Sequence, residues 1–85
     1  MLDTIQLRII RRPEVLNRLG IGNTALHYRI KEGLIPPPIP LGARAVGWLE
    51  HELDQVLKAM AAGKSTGYIK TLVSHLIDQR RNEAA

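Results

Sequence analysis

Two short helical patterns joined by a glycine turn, a proline-rich exit running into a hairpin pattern, and two longer amphipathic stripes predict a mainly α fold. Their order is that of a winged helix-turn-helix with a small β-hairpin wing and an added C-terminal helix. At 85 residues the chain is one domain, and folding at this size removes only about 60–65% of the accessible surface, so the core is small. There is no Phe, and the aromatics are limited to Tyr28, Trp48 and Tyr68, so the core is built mainly from Leu, Ile, Val and Ala.

Met1 to Ile10 carries Ile5, Leu7, Ile9 and Ile10 in partial alternation and reads as a short strand or an extended lead-in. Pro13 suits the first turn of a helix, where its missing N–H costs nothing, and Glu14 places a negative charge at the positive helix end. Val15, Leu16 and Leu19 supply the apolar face, and Gly20 breaks the pattern. Ile21 plugs the turn, Gly22 or Asn23 caps the next helix, and that helix runs over residues 23–32. Leu26 and Ile30 face inward, Thr24, Tyr28 and Lys31 face roughly opposite with His27 beside them, and Gly33 ends the helix.

Pro36, Pro37, Pro38 and Pro40 forbid helix and leave an extended segment. Ile39–Leu41 and Val46–Trp48 can pair across Gly42 to Ala45, giving a wing over residues 41–48. Trp48 is assigned to the core, anchoring the wing to the next helix. Leu49 to Met60 is amphipathic, with Leu49, Leu53, Val56, Leu57 and Met60 on one face and Glu50 and Glu52 in the first turn. After a break at Ala61 to Lys64, Ser65 or Thr66 caps a last helix, over residues 65–80, whose stripe is Ile69, Leu72, Val73, Leu76 and Ile77. The tail from Arg80 onward is expected to fray. The stripe has two readings: it packs back on the winged domain of residues 5–60, or it meets its counterpart in a homodimer or cooperative array.

The net charge of +4 is uneven: residues 1–48 hold seven basic and three acidic side chains, and residues 49–85 hold five of each. All the excess therefore lies with the two short helices and the wing, as a phosphate-binding footprint requires. The absence of Cys removes disulfides and thiolate metal sites, and no apolar run approaches the roughly 18 residues that span a bilayer. A reducing, cytoplasmic setting without membrane association is the expectation. His27, His51 and His75 fall on three separate predicted helices without a second ligand at helical spacing, so no metal site is expected. No nucleophile–base pair, Gly-rich phosphate loop or convergent carboxylate pair appears, so neither an enzyme nor a cofactor is expected.

Leu7-Arg8 followed by Pro13-Glu14-Val15, then Ile30-Lys31-Glu32-Gly33, then Leu41-Gly42-Ala43-Arg44-Ala45-Val46-Gly47-Trp48 with Glu50 and Asp54 beyond, form a distinctive series. The chain resembles the AlpA family of phage and prophage regulators, within the MerR-like winged-helix group that includes phage excisionases. The likeness covers roughly residues 5–60; the last helix lies outside it. It differs from the family at His27-Tyr28, where Tyr-Arg is frequent, and at Arg29, where an apolar residue is frequent.

The resemblance implies that the second helix reads the DNA major groove while the wing meets the backbone or minor groove. An exposed polar helix face is by itself an ordinary solvated surface. With the resemblance, Asn23, Thr24, His27 and Tyr28 become base-contact candidates, since base edges need donors, acceptors and methyl contacts projected from one face. Arg11, Arg12, Arg29, Lys31 and Arg44 are the phosphate or minor-groove candidates, which set affinity and register more than sequence choice. Double-stranded DNA is the expected partner, and control of transcription or prophage excision the expected role. The alternative is a protein-binding adaptor that docks on a regulator or recombinase without reading DNA sequence.

Overall fold

The computed structural model describes residues 7–84. The expected N-terminal strand lies outside the described residues as far as Gln6; its remainder is β1, Ile9–Ile10. The elements that follow are α1 (Arg12–Leu19), α2 (Asn23–Lys31), β2 (Ile39–Gly42), β3 (Ala45–Leu49), α3 (Glu50–Ala61) and α4 (Thr66–Ala84). The fold is mostly helical and winged-helix-like, with a three-stranded antiparallel sheet of order β1-β3-β2.

Local chemistry accounts for the element boundaries. Pro13 occupies the first turn of α1, Glu14 follows it, and left-handed Gly20 closes the helix by donating to the Leu16 carbonyl at 2.8 Å. The Ile21 N–H shares that carbonyl, so the turn into α2 is short. Gly22 is the N-cap of α2, and Asn23 is its first helical residue. The helix stops at Lys31, one residue short of expectation, with Glu32 as cap and Leu34 N–H donating to the Arg29 carbonyl at 2.8 Å.

The hairpin is tighter than its sequence suggests, because only Ala43 and Arg44 lie between β2 and β3. Ile39 pairs with Gly47 and Gly42 with Ala45, while on the other side of β3 Ile9 pairs with Leu49 and Ile10 with Trp48. Gly47 is required here by close approach. A Cβ at this position would overlap Ile9 Cγ2 and crowd Ile10 O and Leu41 Cδ1, each 3.2 Å away.

Ile10, Val15, Leu26, Ile35, Trp48, Leu53 and Val56 form the centre of the core. Trp48 is buried as expected and donates from Nε1 to the Pro36 carbonyl at 3.1 Å. Met60, expected on the buried face of α3, is only partly covered, at 36% exposed. Ser65 rather than Thr66 caps α4, its Oγ accepting from Tyr68 N–H at 3.1 Å.

Ile69, Val73 and Leu76 of α4 are buried in the chain's own core, with Leu72 and Ile77 packed at its margin. Each fully buried side chain of this kind contributes about 1.5–3 kcal/mol. A dimer through this stripe would have to strip those three residues from the core.

The last helix extends past Arg80, the point from which fraying is expected. The helix continues to Ala84, and Arg80 is held by Glu52, which is 2% exposed. Arg80 Nε donates to Oε2 at 2.9 Å, Nη2 donates to Oε1 at 2.6 Å, and Nη2 also donates to the Pro37 carbonyl at 2.9 Å. A bidentate arginine–carboxylate pair with little solvent access is much more persistent than a surface ion pair.

Candidate nucleic-acid interface

Helix α2 is set by Leu26, which is fully buried, and by Ile30, which is half-buried. The helical period therefore turns Thr24, His27, Tyr28 and Lys31 outward together. Asn23 is exposed at the start of the helix, and because Gly22 is the cap no side-chain capping bond consumes its amide. The His27 and Tyr28 rings meet edge to face, 5.8 Å apart at 70°, so they present one joint aromatic surface. Tyr28 is 57% exposed, which leaves its hydroxyl and most of its ring free of the fold. Arg29 is half-buried on the opposite flank of the Leu26–Ile30 line from His27.

Arg44 is exposed at the tip of the wing. Its backbone and that of Ala43 are left-handed, with φ of 70° and 46°. Two-residue hairpin turns of this geometry favour Gly, Asn or Asp, since a Cβ in the left-handed region costs about 1–2 kcal/mol. The wing thus carries a cationic side chain where glycine would be less strained.

Arg11 and Arg12 connect α1 to the wing. Arg11 Nε donates to the Val46 carbonyl at 3.0 Å, and the Arg12 guanidinium lies 5.3 Å from the Trp48 ring centroid. Both are phosphate candidates by sequence, and both have intramolecular partners. Each remains exposed and keeps further N–H groups, so these contacts orient the guanidinium without exhausting its donors.

The carboxylates of α1 and α3 have other partners. Arg18 bridges Glu14 at 2.6 Å, Asp54 at 3.3 Å and also Glu50, which Arg8 approaches at 3.4 Å. The hydrogen bonds to Glu50 and then Glu14 raise the Arg18 pKa above the ordinary arginine value. Arg80 takes Glu52. Among the described residues, every ion pair is made by Arg8, Arg18 or Arg80, and none by Arg11, Arg12, Arg29, Lys31 or Arg44. The five candidates thus keep their charge uncompensated by direct ion pairing. The three histidines lie on α2, α3 and α4, and among the described residues no group of three or more His, Asp or Glu side chains could hold a metal ion. No described helix is long and apolar enough to cross a membrane.

A tight pair of short helices, backed by a hairpin with a basic tip, defines a small winged-helix-type module. The chain belongs to the AlpA family: the family model described as "Prophage CP4-57 regulatory protein (AlpA)" matches residues 8–60. It is therefore a prophage-type regulatory protein by family. It is also similar to a protein of Enterobacteria phage P4, "Uncharacterized protein ORF88", at 33% identity over 66 residues, covering 78% of this chain and 75% of that one. No solved structure matches the chain.

Helix α4 begins six residues past the end of the family match, at Thr66. The Glu52–Arg80 pair that joins it to α3 was missed from sequence. One signal was present: Glu52 falls between Leu49 and Val56 on the apolar face of α3, where a carboxylate needs a partner. The Glu14–Arg18 half of the other cluster was also readable, being spaced i, i+4 on one helix.

Proposed function

We propose that the protein is a sequence-specific, double-stranded-DNA-binding regulator of phage or mobile-element type. In this reading α1 and α2 act as a helix-turn-helix, with α2 entering the major groove. Asn23, Thr24, His27 and Tyr28 meet base edges there, and Lys31 and Arg29 meet the flanking phosphates. Arg44 at the wing tip, with Arg11 and Arg12 behind it, meets the backbone or the minor groove. Site occupancy in the cytoplasm then controls transcription or prophage excision without catalysis.

The observation that carries the reading is the partition of charge. The carboxylates of α1 and α3 are taken up by Arg8, Arg18 and Arg80, while the basic residues of α2, the wing and the α1 start are left without ion-pair partners. If all five candidates meet phosphate, log K falls with log salt at a slope of about −4.5.

Selection from a random duplex library near physiological salt tests the proposal. A common motif is expected, with Thr24→Ala and Tyr28→Ala relaxing preference within it by about 1–3 kcal/mol per contacted base pair. Folded protein that enriches no motif would refute sequence reading. The adaptor alternative would then stand, although the stripe first considered for docking is committed to the core through Ile69, Val73 and Leu76.

A further inference from the structure

The segment between α2 and β2 has an unusual backbone problem. Pro36, Pro37 and Pro38 have no N–H, so this stretch offers carbonyl acceptors but cannot secure itself through a ladder of its own donors. Its carbonyls are instead caught by side chains from elsewhere. Trp48 Nε1 donates to Pro36 O at 3.1 Å, and Arg80 Nη2 donates to Pro37 O at 2.9 Å. The Arg80 fork is itself oriented by Glu52, so one guanidinium joins α3, α4 and the linker.

We propose that Arg80 is a positioning residue for DNA reading: by holding the Pro37 carbonyl it sets the spacing between α2 and the wing. This rests on the DNA-reading function proposed above and deepens it, assigning α4 a role in site discrimination although it lies outside the family match. The linker is the direct chain connection between the two DNA-facing elements, which are tied on their other side through α1 by Arg11 and Arg12. A linker held at two consecutive carbonyls keeps α2 and Arg44 in one register. A loosened linker lets each find DNA on its own, which preserves phosphate attraction and loses simultaneous fit.

The test uses the full chain and the paired variant Glu52→Leu/Arg80→Met. One charge of each sign is removed, so net charge and the five phosphate candidates are unchanged, and apolar replacement of a buried ion pair is close to neutral for stability. Affinity is measured for a duplex selected by the wild-type protein and for a scrambled duplex of the same composition, together with the melting temperature. A folded variant is expected to hold its scrambled-duplex affinity within about twofold while binding the selected duplex at least about tenfold more weakly. A merely structural Arg80 would lower both affinities together, in step with the folded fraction; that result overturns the proposal, as does unchanged discrimination. If the paired variant does not fold, Arg80→Lys serves instead. It keeps the charge pairing with Glu52 but lacks the fork that spans Glu52 and Pro37, so the same selective loss is expected and wild-type discrimination overturns the proposal. Wild-type protein that selects no site refutes the DNA-reading function itself, and the role of Arg80 falls with it.

Discussion

Truncating Arg80 to Ala would leave the Glu52 carboxylate, 2% exposed, without its charge-assisted bonds and the Pro37 carbonyl without its side-chain donor. Removing one partner of a buried pair costs about 3–5 kcal/mol, most of it the penalty of the charge left behind. Arg80 itself is 20% exposed, so water reaches one side of the pair and the lower half of that range applies. At about 0.05–0.15 kcal/mol per residue a chain of 85 residues is stable by about 4–13 kcal/mol, so this one change removes a large share. For a domain of this size each kcal/mol moves Tm by about 4–8 °C, which places the expected fall at about 12 °C or more. Urea and thermal unfolding, followed by helical circular dichroism and by Trp48 emission, measure it. Glu52→Leu/Arg80→Met should return most of the loss, because it removes the isolated charge as well as the pair. A stability change for Arg80→Ala below about 1 kcal/mol would refute the reasoning, since it would place the pair with ordinary surface ion pairs.

The wing and the sheet supply two further expectations. Arg44→Gly should relieve left-handed strain and raise stability by up to about 1 kcal/mol after the entropic cost of glycine, while weakening binding to all duplexes and reducing the salt slope by about 0.9. Opposite movement of the unfolding midpoint and of affinity is the signature; a joint rise or fall counts against the assigned role of the tip. Gly47→Ala should destabilise by about 1–3 kcal/mol through overlap with Ile9 Cγ2, and Ile9→Ala in the same chain should recover part of it. No recovery in the double variant would mean that the approach of β1 to β3 is not what constrains residue 47.

What lies within one window of sequence determined most of the elements. Pro13 and Gly20 bound α1, Leu26 and Ile30 turn the polar face of α2 outward, and the prolines separate α2 from the hairpin, because each acts through its own backbone or through neighbours one helical turn away. The amphipathic period likewise predicted α3 and the stripe of α4. The tertiary structure decided the rest. It placed the α4 stripe against the chain's own core, since a stripe records that a face must be covered and not by what. It lashed Arg11 to Val46 and Arg12 to Trp48, linking residues far apart in the chain. It paired Glu52 with Arg80, 28 positions away, and aimed the same guanidinium at Pro37. Hydrogen-bond geometry is satisfied within a few tenths of an ångström, and no periodicity along one helix specifies the position of a donor on another to that accuracy.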